Sequence, residues 1–336
     1  MPSRRSVLAA AVPAAILGGG VRAQRPGEER HFLIGSGPIG GTYFPIAGLI
    51  SAVISNPPGG RPCEAGGNCG IPGLVAEALA TQGSVENLRR LGEGALDSAL
   101  AQADIGAAAY RGDDLFSGRA MPLLRSIANL FTESVHVVVR RGTGLESVAD
   151  LRGRTVSMGE RESGTLPVAR TLMAAYGLGR RDIDAVYLSP QAASARLREG
   201  AIDAFVMVAG EPAPLLVALA RQSPVDLLPV STPVAERLRR ERPWIGTTTV
   251  GAEHYDGIDA RQTITVAAHW LTSAAVDGDT VHGNLRALFH PSNRARLDRG
   301  HPSAAAIRLE TAIDGLAVPL HEGAQRFYRE RGVLKD

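Results

Sequence analysis

Aromatic residues are scarce in this chain of 336 residues, at 4% of positions, and cysteines number two. The first scarcity argues against a sugar site walled by stacked rings. Small residues are abundant instead, with 39 glycines, which suits close packing of helices on a sheet. Neither sign of charge dominates: 36 basic residues stand against 34 acidic ones. A nucleic-acid or anionic-membrane partner would want a basic face, so neither is expected. No G-x-S-x-G elbow and no H-E-x-x-H motif occurs, and the eight histidines are scattered without ligand spacing. An exported hydrolase or transferase therefore lacks its usual carriers, and no metal or cofactor is expected.

Long apolar runs are also missing, with one exception near the start. Arg4-Arg5 precedes the run Val7 to Leu17, and Val21-Arg22-Ala23 supplies small residues suited to signal-peptidase cleavage before Gln24. The expectation is an export signal over residues 1–23, too short to stay in a membrane, and hence a periplasmic location. Ser3-Arg4-Arg5-Ser6-Val7-Leu8 also fits a twin-arginine signal, with ordinary unfolded export as the rival route. No cysteine follows the run, so a lipid anchor is not indicated. Cleavage would remove three arginines and no acid, taking the net charge from +2 to −1. In an exported chain Cys63 and Cys69, six residues apart in a Gly/Pro-rich loop, are expected to form a local disulfide. A metal site there would need further ligands nearby.

The most informative stretch runs from His31 to Leu49. A short apolar run, Phe32 to Ile34, gives way to a glycine-rich turn and then to an apolar helix-like segment with Pro45 in its first turn. Such a loop offers backbone N–H groups and the positive end of a helix dipole, so an anionic or carbonyl-rich ligand suits it. Gly35-Ser36-Gly37-Pro38-Ile39-Gly40 formally satisfies the dinucleotide fingerprint. That fingerprint needs a second strand ending in an acid about 20 residues on. Here that region is the loop Asn56-Pro57-Pro58-Gly59-Gly60, so a nucleotide is not expected; a tight turn without ligand is the plain alternative.

Farther along, Ile46 to Ile54 reads as helix, and Ala76 to Thr81 as strand or helix. Ser84 can cap a helix that has Glu86 in its first turn. Ala95 to Gln102 reads as a buried strand, with Asp104 placed to cap the next helix. Leu123 to Arg140 is unusually long and strand-like and looks like a connector between domains. Beyond it come a strand (Arg154 to Met158), the loop Gly159 to Thr165 and a helix (Leu166 to Tyr176), repeating the opening design. Glu93-Gly94-Ala95-Leu96-Asp97 reappears as Glu199-Gly200-Ala201-Ile202-Asp203. These echoes suggest two similar α/β lobes facing a common cleft. Thr263 to Ala268 reads as strand, His269 to Thr272 as the return to the first lobe. Helices then follow at 279–289, 293–297, 304–313 and 323–331.

In this order the segments resemble the solute-binding proteins of TRAP transporters, in particular the TAXI (TRAP-associated extracytoplasmic immunogenic) family. The carriers are Ile34 to Gly37 with Gly40 to Pro45, Gly83 to Leu88, Ala101 to Asp104, Asp150 to Val156, Ser163 to Thr165, Gly200 to Phe205 and Pro319 to Tyr328. The resemblance implies an α/β, two-lobed periplasmic-binding-protein fold (Venus flytrap, type II-like) with a hinge and a discontinuous first lobe. The lobes would be 24–140 with 266–336, and 141–265. It implies a monomer that captures a small organic acid or amino acid, glutamate- or 2-oxoglutarate-like, and hands it to ion-gradient-driven TRAP permease subunits. The alternatives are a ligand-sensing subunit for a membrane signalling partner, or an exported enzyme.

Carried onto this sequence, the family's cleft implies Thr42, Tyr43, Ser84, Asn87, Gln102, Asp104, Ser163, Gly164 and Thr165 as ligand-binding residues. Thr42, Ser163 and Thr165 with neighbouring N–H groups would hold carboxylate oxygens, Tyr43 would pack on the solute, and Gln102 or Asn87 would read an amide, amine or keto group. Glu160-Arg161-Glu162 departs from the family's small, glycine-rich approach to this loop. Arg161 either clamps a carboxylate or is a solvated rim charge. Asp104 either faces the ligand or only caps its helix. Glu211 is a further cleft candidate or simply exposed, and His321 reads as a packing or capping residue.

Overall fold

The computed structural model describes residues 29–335. The expected export signal lies outside the described residues, and none of the described helices is long and apolar enough to cross a membrane. Twelve strands are described: β1 (Arg30–Gly35), β2 (Ser55–Asn56), β3 (Ile71–Pro72), β4 (Leu74–Leu79), β5 (Ser98–Gln102), β6 (Leu124–Arg140), β7 (Thr155–Ser157), β8 (Asp184–Val186), β9 (Ala204–Ala209), β10 (Val225–Leu227), β11 (Gly246–Val250) and β12 (Arg261–Ser273). Between and after them run α1 (Tyr43–Ile54), α2 (Ser84–Gly92), α3 (Ala103–Arg111), α4 (Thr165–Ala175), α5 (Pro190–Arg198), α6 (Pro214–Gln222), α7 (Thr232–Glu241), α8 (Gly278–Leu288), α9 (Pro291–Gly300), α10 (Pro302–Ala305) and α11 (Glu322–Glu330). Local chemistry sets many of these starts. Proline sits in the first turn of α5, α6, α7, α9 and α10, where its missing N–H costs nothing. Ser189 and Asp277 cap α5 and α8 by accepting from Ala192 and Thr280 N–H groups.

Ten strands form one sheet in the order β4-β1-β5-β12-β6-β9-β7-β8, with β10 on β6 and β11 on β12. It consists of two parallel triplets, β4-β1-β5 and β9-β7-β8, joined through the antiparallel pair β12 and β6. Strand β6 has 17 residues, a length of about 55 Å at the usual rise. Its first part pairs with the stretch of β12 that also meets β5, and its last part with β9. The apolar clusters divide along the same line. Two draw on residues up to Phe131 and from Ala268 onward, and two on residues from Val135 to Val266. Between them, on β6, lies Thr132-Glu133-Ser134, and the β12–β6 register shifts at Ala268/His269.

The repeated Glu-Gly-x-x-Asp segments have the same job in each half. Asp97 Oδ2 accepts from Leu33 N at 2.7 Å, and Asp203 Oδ2 accepts from Thr155 N at 2.9 Å. Gly94 and Gly200 both turn through the left-handed region, at φ 71° and 76°. Each aspartate thereby ties the start of its own strand to the neighbouring parallel one. Ala76 to Leu79 is strand, part of β4, with Ala80 and Thr81 in the loop after it, and 263–272 lies in one continuous strand rather than a strand and a separate return. The helix expected over 304–313 is not formed. Arg294 takes the carbonyls of Ile307 and Ala304, at 2.6 and 3.1 Å, so these oxygens are capped instead of continuing a helix. Cys63 and Cys69 are joined as a disulfide in the loop before β3.

Candidate functional site

The C-terminal ends of β1, β5, β7 and β9 lead into loops that meet between the two halves. There they enclose a small cleft of about 50 Å³. The first half contributes Gly41, Thr42, Tyr43, Gln82, Gly83, Ser84, Gln102 and Glu133; the second contributes Gly159, Glu160, Ser163, Gly164, Thr165, Pro190 and Met207, among others. The first residues of α1, α2, α4 and α5 all reach this lining. Several helix N-termini thus turn their positive dipole ends to one small volume, and the starts of α1, α2 and α4 bring backbone N–H groups to it, whereas α5 begins with Pro190, which has none.

Most of the expected hydroxyls line the cleft but already have partners. Thr42 Oγ1 donates to Gly210 O across the cleft at 3.0 Å, and Ser163 Oγ donates to Glu160 O at 2.7 Å. Thr165 Oγ1 accepts from Val208 N at 3.3 Å. Ser84, expected as a cap, is already inside its helix, and its Oγ accepts from Gln102 N at 3.0 Å. The free acceptor is Gln102 Oε1, buried and without a partner. An orphaned buried amide oxygen in a cleft is costly unless a ligand donates to it.

Four expected site residues do not line the cleft. Asn87 is fully buried: its Nδ2 donates to Ser36 O and Leu100 O at 2.6 and 2.7 Å, and its Oδ1 accepts from Thr81. It braces the ends of β1 and β5 and has nothing left for a solute. Asp104 stands in the first turn of α3 and faces a different cavity. Burial pushes its carboxyl up to about 6, against the pull of nearby helix N–H groups and of Arg242. Arg161 lies over the Tyr187 ring, 4.1 Å from its centre, and is exposed, which makes it a rim cation held by a π face. Glu211 accepts from Ser134 Oγ and lies 3.4 Å from His254 Nε2. His321 caps α11, its Nδ1 accepting from Gly323 N at 3.1 Å.

The residue that sequence reasoning missed is Glu133. It lies where β6 passes from one half to the other, is 2% exposed, and its Oε2 accepts from the Tyr43 hydroxyl at 2.7 Å. Desolvation is the main reason its carboxyl is pushed up to about 8, with the charge of Asp104 adding to it. Burial, and then the adjacent Glu133, likewise raise the Tyr43 hydroxyl well above its ordinary value. Glu160, half-buried on the opposite wall, is raised by desolvation and by Glu86. No arginine, lysine or histidine is among the described residues that line the cleft. Its polar chemistry is backbone N–H together with carboxyl and amide acceptors, drawn from both walls.

The two halves touch across the mouth. Glu86 N donates to Glu162 O at 3.0 Å, Glu162 N to Gln82 Oε1 at 3.3 Å, and the Arg89 guanidinium grips both oxygens of Glu162 at 3.1 and 3.2 Å. The pair is solvent-exposed, so Arg89→Ala should weaken solute binding by only about threefold at low salt, and less in 0.5 M salt. Titration at two ionic strengths checks this; an equal loss at both would mean that the contact is not electrostatic.

Across residues 34–332 the sequence matches the NMT1-like family. The chain belongs to the NMT1-like family. Among solved structures, MatC from Rhodopseudomonas palustris with bound malate is 16% identical, with 89% of this chain and 97% of that one aligned at a TM-score of 0.53. The ligand-binding component of an ABC-type import system from Staphylococcus aureus, with zinc bound, is 10% identical over 91% and 93% of the two chains, at 0.51. A periplasmic transporter structure is 15% identical over 91% and 93%, at 0.52. The fold of this NMT1-like chain, a mixed α/β architecture on a central sheet, is that of periplasmic solute-binding proteins.

Proposed function

We propose that this NMT1-like protein is the periplasmic solute-binding subunit of a TRAP-type transporter of the TAXI group. It captures a small organic acid or amino acid between its two halves, carries out no chemistry of its own, and delivers the solute to an ion-gradient-driven permease. The observation that carries this reading is a small cleft whose walls come from both halves and whose helix N-termini suit a carboxylate. Within that class the cleft favours an amino acid over a dicarboxylate. A second carboxylate would meet Glu133, Glu160 and Gln102 Oε1 with no cation to balance it, whereas an ammonium group satisfies the same acceptors.

A thermal-shift screen of refolded, ligand-stripped protein tests the reading. A matching amino acid at a hundred times its dissociation constant should add about 2.7 kcal/mol, which is several degrees. No shift with any amino acid or organic acid would end the solute-binding reading. Solute uptake by vesicles holding TRAP permease subunits, driven by a sodium gradient without ATP and dependent on this protein, distinguishes the TRAP assignment from an ATP-driven importer.

A further inference from the structure

A second and larger cavity, about 320 Å³, opens between the same two halves. One wall is Asp104, Arg111, Asp114, Leu115 and Phe116, from α3 and the turn after it; the other is α4 and the segment between α7 and β11, so that Arg111, Arg170 and Arg242 face the two acids Asp104 and Asp114. Its charges are incompletely matched. Arg170 and Arg242 make no side-chain hydrogen bond or ion pair, while Arg111 is taken by Asp113 at 2.6 Å. Asp104 Oδ1 is buried and unpartnered. Beside these groups lie the half-buried Trp244, the buried Phe116 and Ile245, and Leu115, which is 39% exposed.

We propose that this cavity is a second binding site, for a small carboxylate that carries a ring-sized apolar body and one hydrogen-bond donor. Two free guanidinium forks at one cavity match the two oxygens of a carboxylate. Trp244, Phe116, Leu115 and Ile245 supply the apolar wall that such a body needs. The Asp104 oxygen supplies the acceptor for the donor. The volume is at the lower end of small-molecule sites, which run from roughly 300 to 1,000 Å³. The site goes beyond the transport reading, because its occupant is not the solute held by Glu133.

Both cavities are built on the same pair of elements. Gln102, just before α3, faces the cleft while Asp104 faces the second cavity; Thr165, at the start of α4, faces the cleft while Arg170, farther along, faces the second cavity. An occupant here bridges the two halves in the closed arrangement. Reciprocal linkage then requires that it tighten solute binding, and that solute tighten it.

3-Phenyllactate, a carboxylate with a ring, one hydroxyl donor and no ammonium group for the Glu133 cleft, is the probe, titrated calorimetrically into the full protein. The expected result is saturable binding that weakens about tenfold or more in the double variant Arg170→Gln/Arg242→Gln and stays unchanged in Glu133→Gln. 3-Phenylpropanoate, which lacks the donor, should bind more weakly than 3-phenyllactate. Arg170 makes no hydrogen bond or ion pair and Arg242 acts on Asp104 only through its charge, so an unchanged circular dichroism spectrum and a cooperative melt within a few degrees of wild type verify the integrity of the double variant. Equal affinity in the arginine variant, loss of probe binding in Glu133→Gln, or no binding at millimolar probe would each overturn the proposal.

Discussion

Glutamine at position 133 should weaken amino-acid binding about a hundredfold, the scale of removing one partner of a buried, hydrogen-bonded charge pair, and should abolish the pH dependence of that binding. Glu133 is pushed up to about 8 in the unligated protein, so near neutrality it is mostly protonated. An ammonium ligand needs the ionised form. Wild-type affinity should therefore rise with pH, by about tenfold per unit on approaching pH 8, and level off above it. An anionic ligand would use the protonated carboxyl as a donor and show the opposite slope. Titration calorimetry between pH 6 and pH 9 decides between them: affinity that falls as pH rises would eliminate the ammonium reading.

The same residue has an opposite effect on stability. Its folded-state pKa is raised above the ordinary 4.5, so its favourable contribution is complete below pH 4.5 and is lost as pH climbs through about 8. A shift of that size corresponds to at most roughly 5 kcal/mol between those limits. Glu133→Gln, which can still accept from Tyr43, should melt higher than wild type at pH 9 and nearly alike at pH 5. A variant that binds worse yet is more stable at high pH is the signature of a buried acid kept for its ligand.

Much of this architecture was legible in the sequence, for local reasons. The strand, glycine loop and helix at 30–54 follow from an apolar run, a bare turn and Pro45, and the paired Glu-Gly-x-x-Asp segments indicated an internal echo that turned out to be one hydrogen-bond device used twice. What could not be read was which polar groups face the cleft. Asn87 and Gln102 are both buried polar residues next to the same strand end. Only the contacts reveal that Asn87 is fully spent on backbone carbonyls and Thr81 while the Gln102 oxygen is free. Glu133 did leave a signal: one acid amid the apolar residues of a long strand, where a buried charge is costly without a purpose. Arg294, which takes the carbonyls of Ala304 and Ile307 just where α10 ends at Ala305, joins residues whose pairing no local pattern announces.

Valine in place of Gly164 should separate closure from folding. Gly164 precedes α4 with φ −72° and ψ −22°, a conformation open to any residue, so its backbone does not demand glycine. Proximity does. A Cβ there would lie 2.5 Å from Gln102 Oε1 and 2.7 Å from Ser84 Oγ, both on the opposite half. With the halves apart these contacts vanish, so the unligated variant should keep its circular dichroism and melting temperature. Overpacking of this kind costs about 1–3 kcal/mol, which places the loss of solute affinity at up to about a hundredfold. Alanine should lose less, because the end of the Gln102 side chain can swing aside. Small-angle scattering adds a readout that a merely destabilised fold would not imitate: the radius of gyration of wild type should contract on adding solute, and that of Gly164→Val should not. Full contraction with unchanged affinity would mean that the halves need not approach as closely as Gly164 permits, and the cleft would then close on its ligand by some other path than these loops.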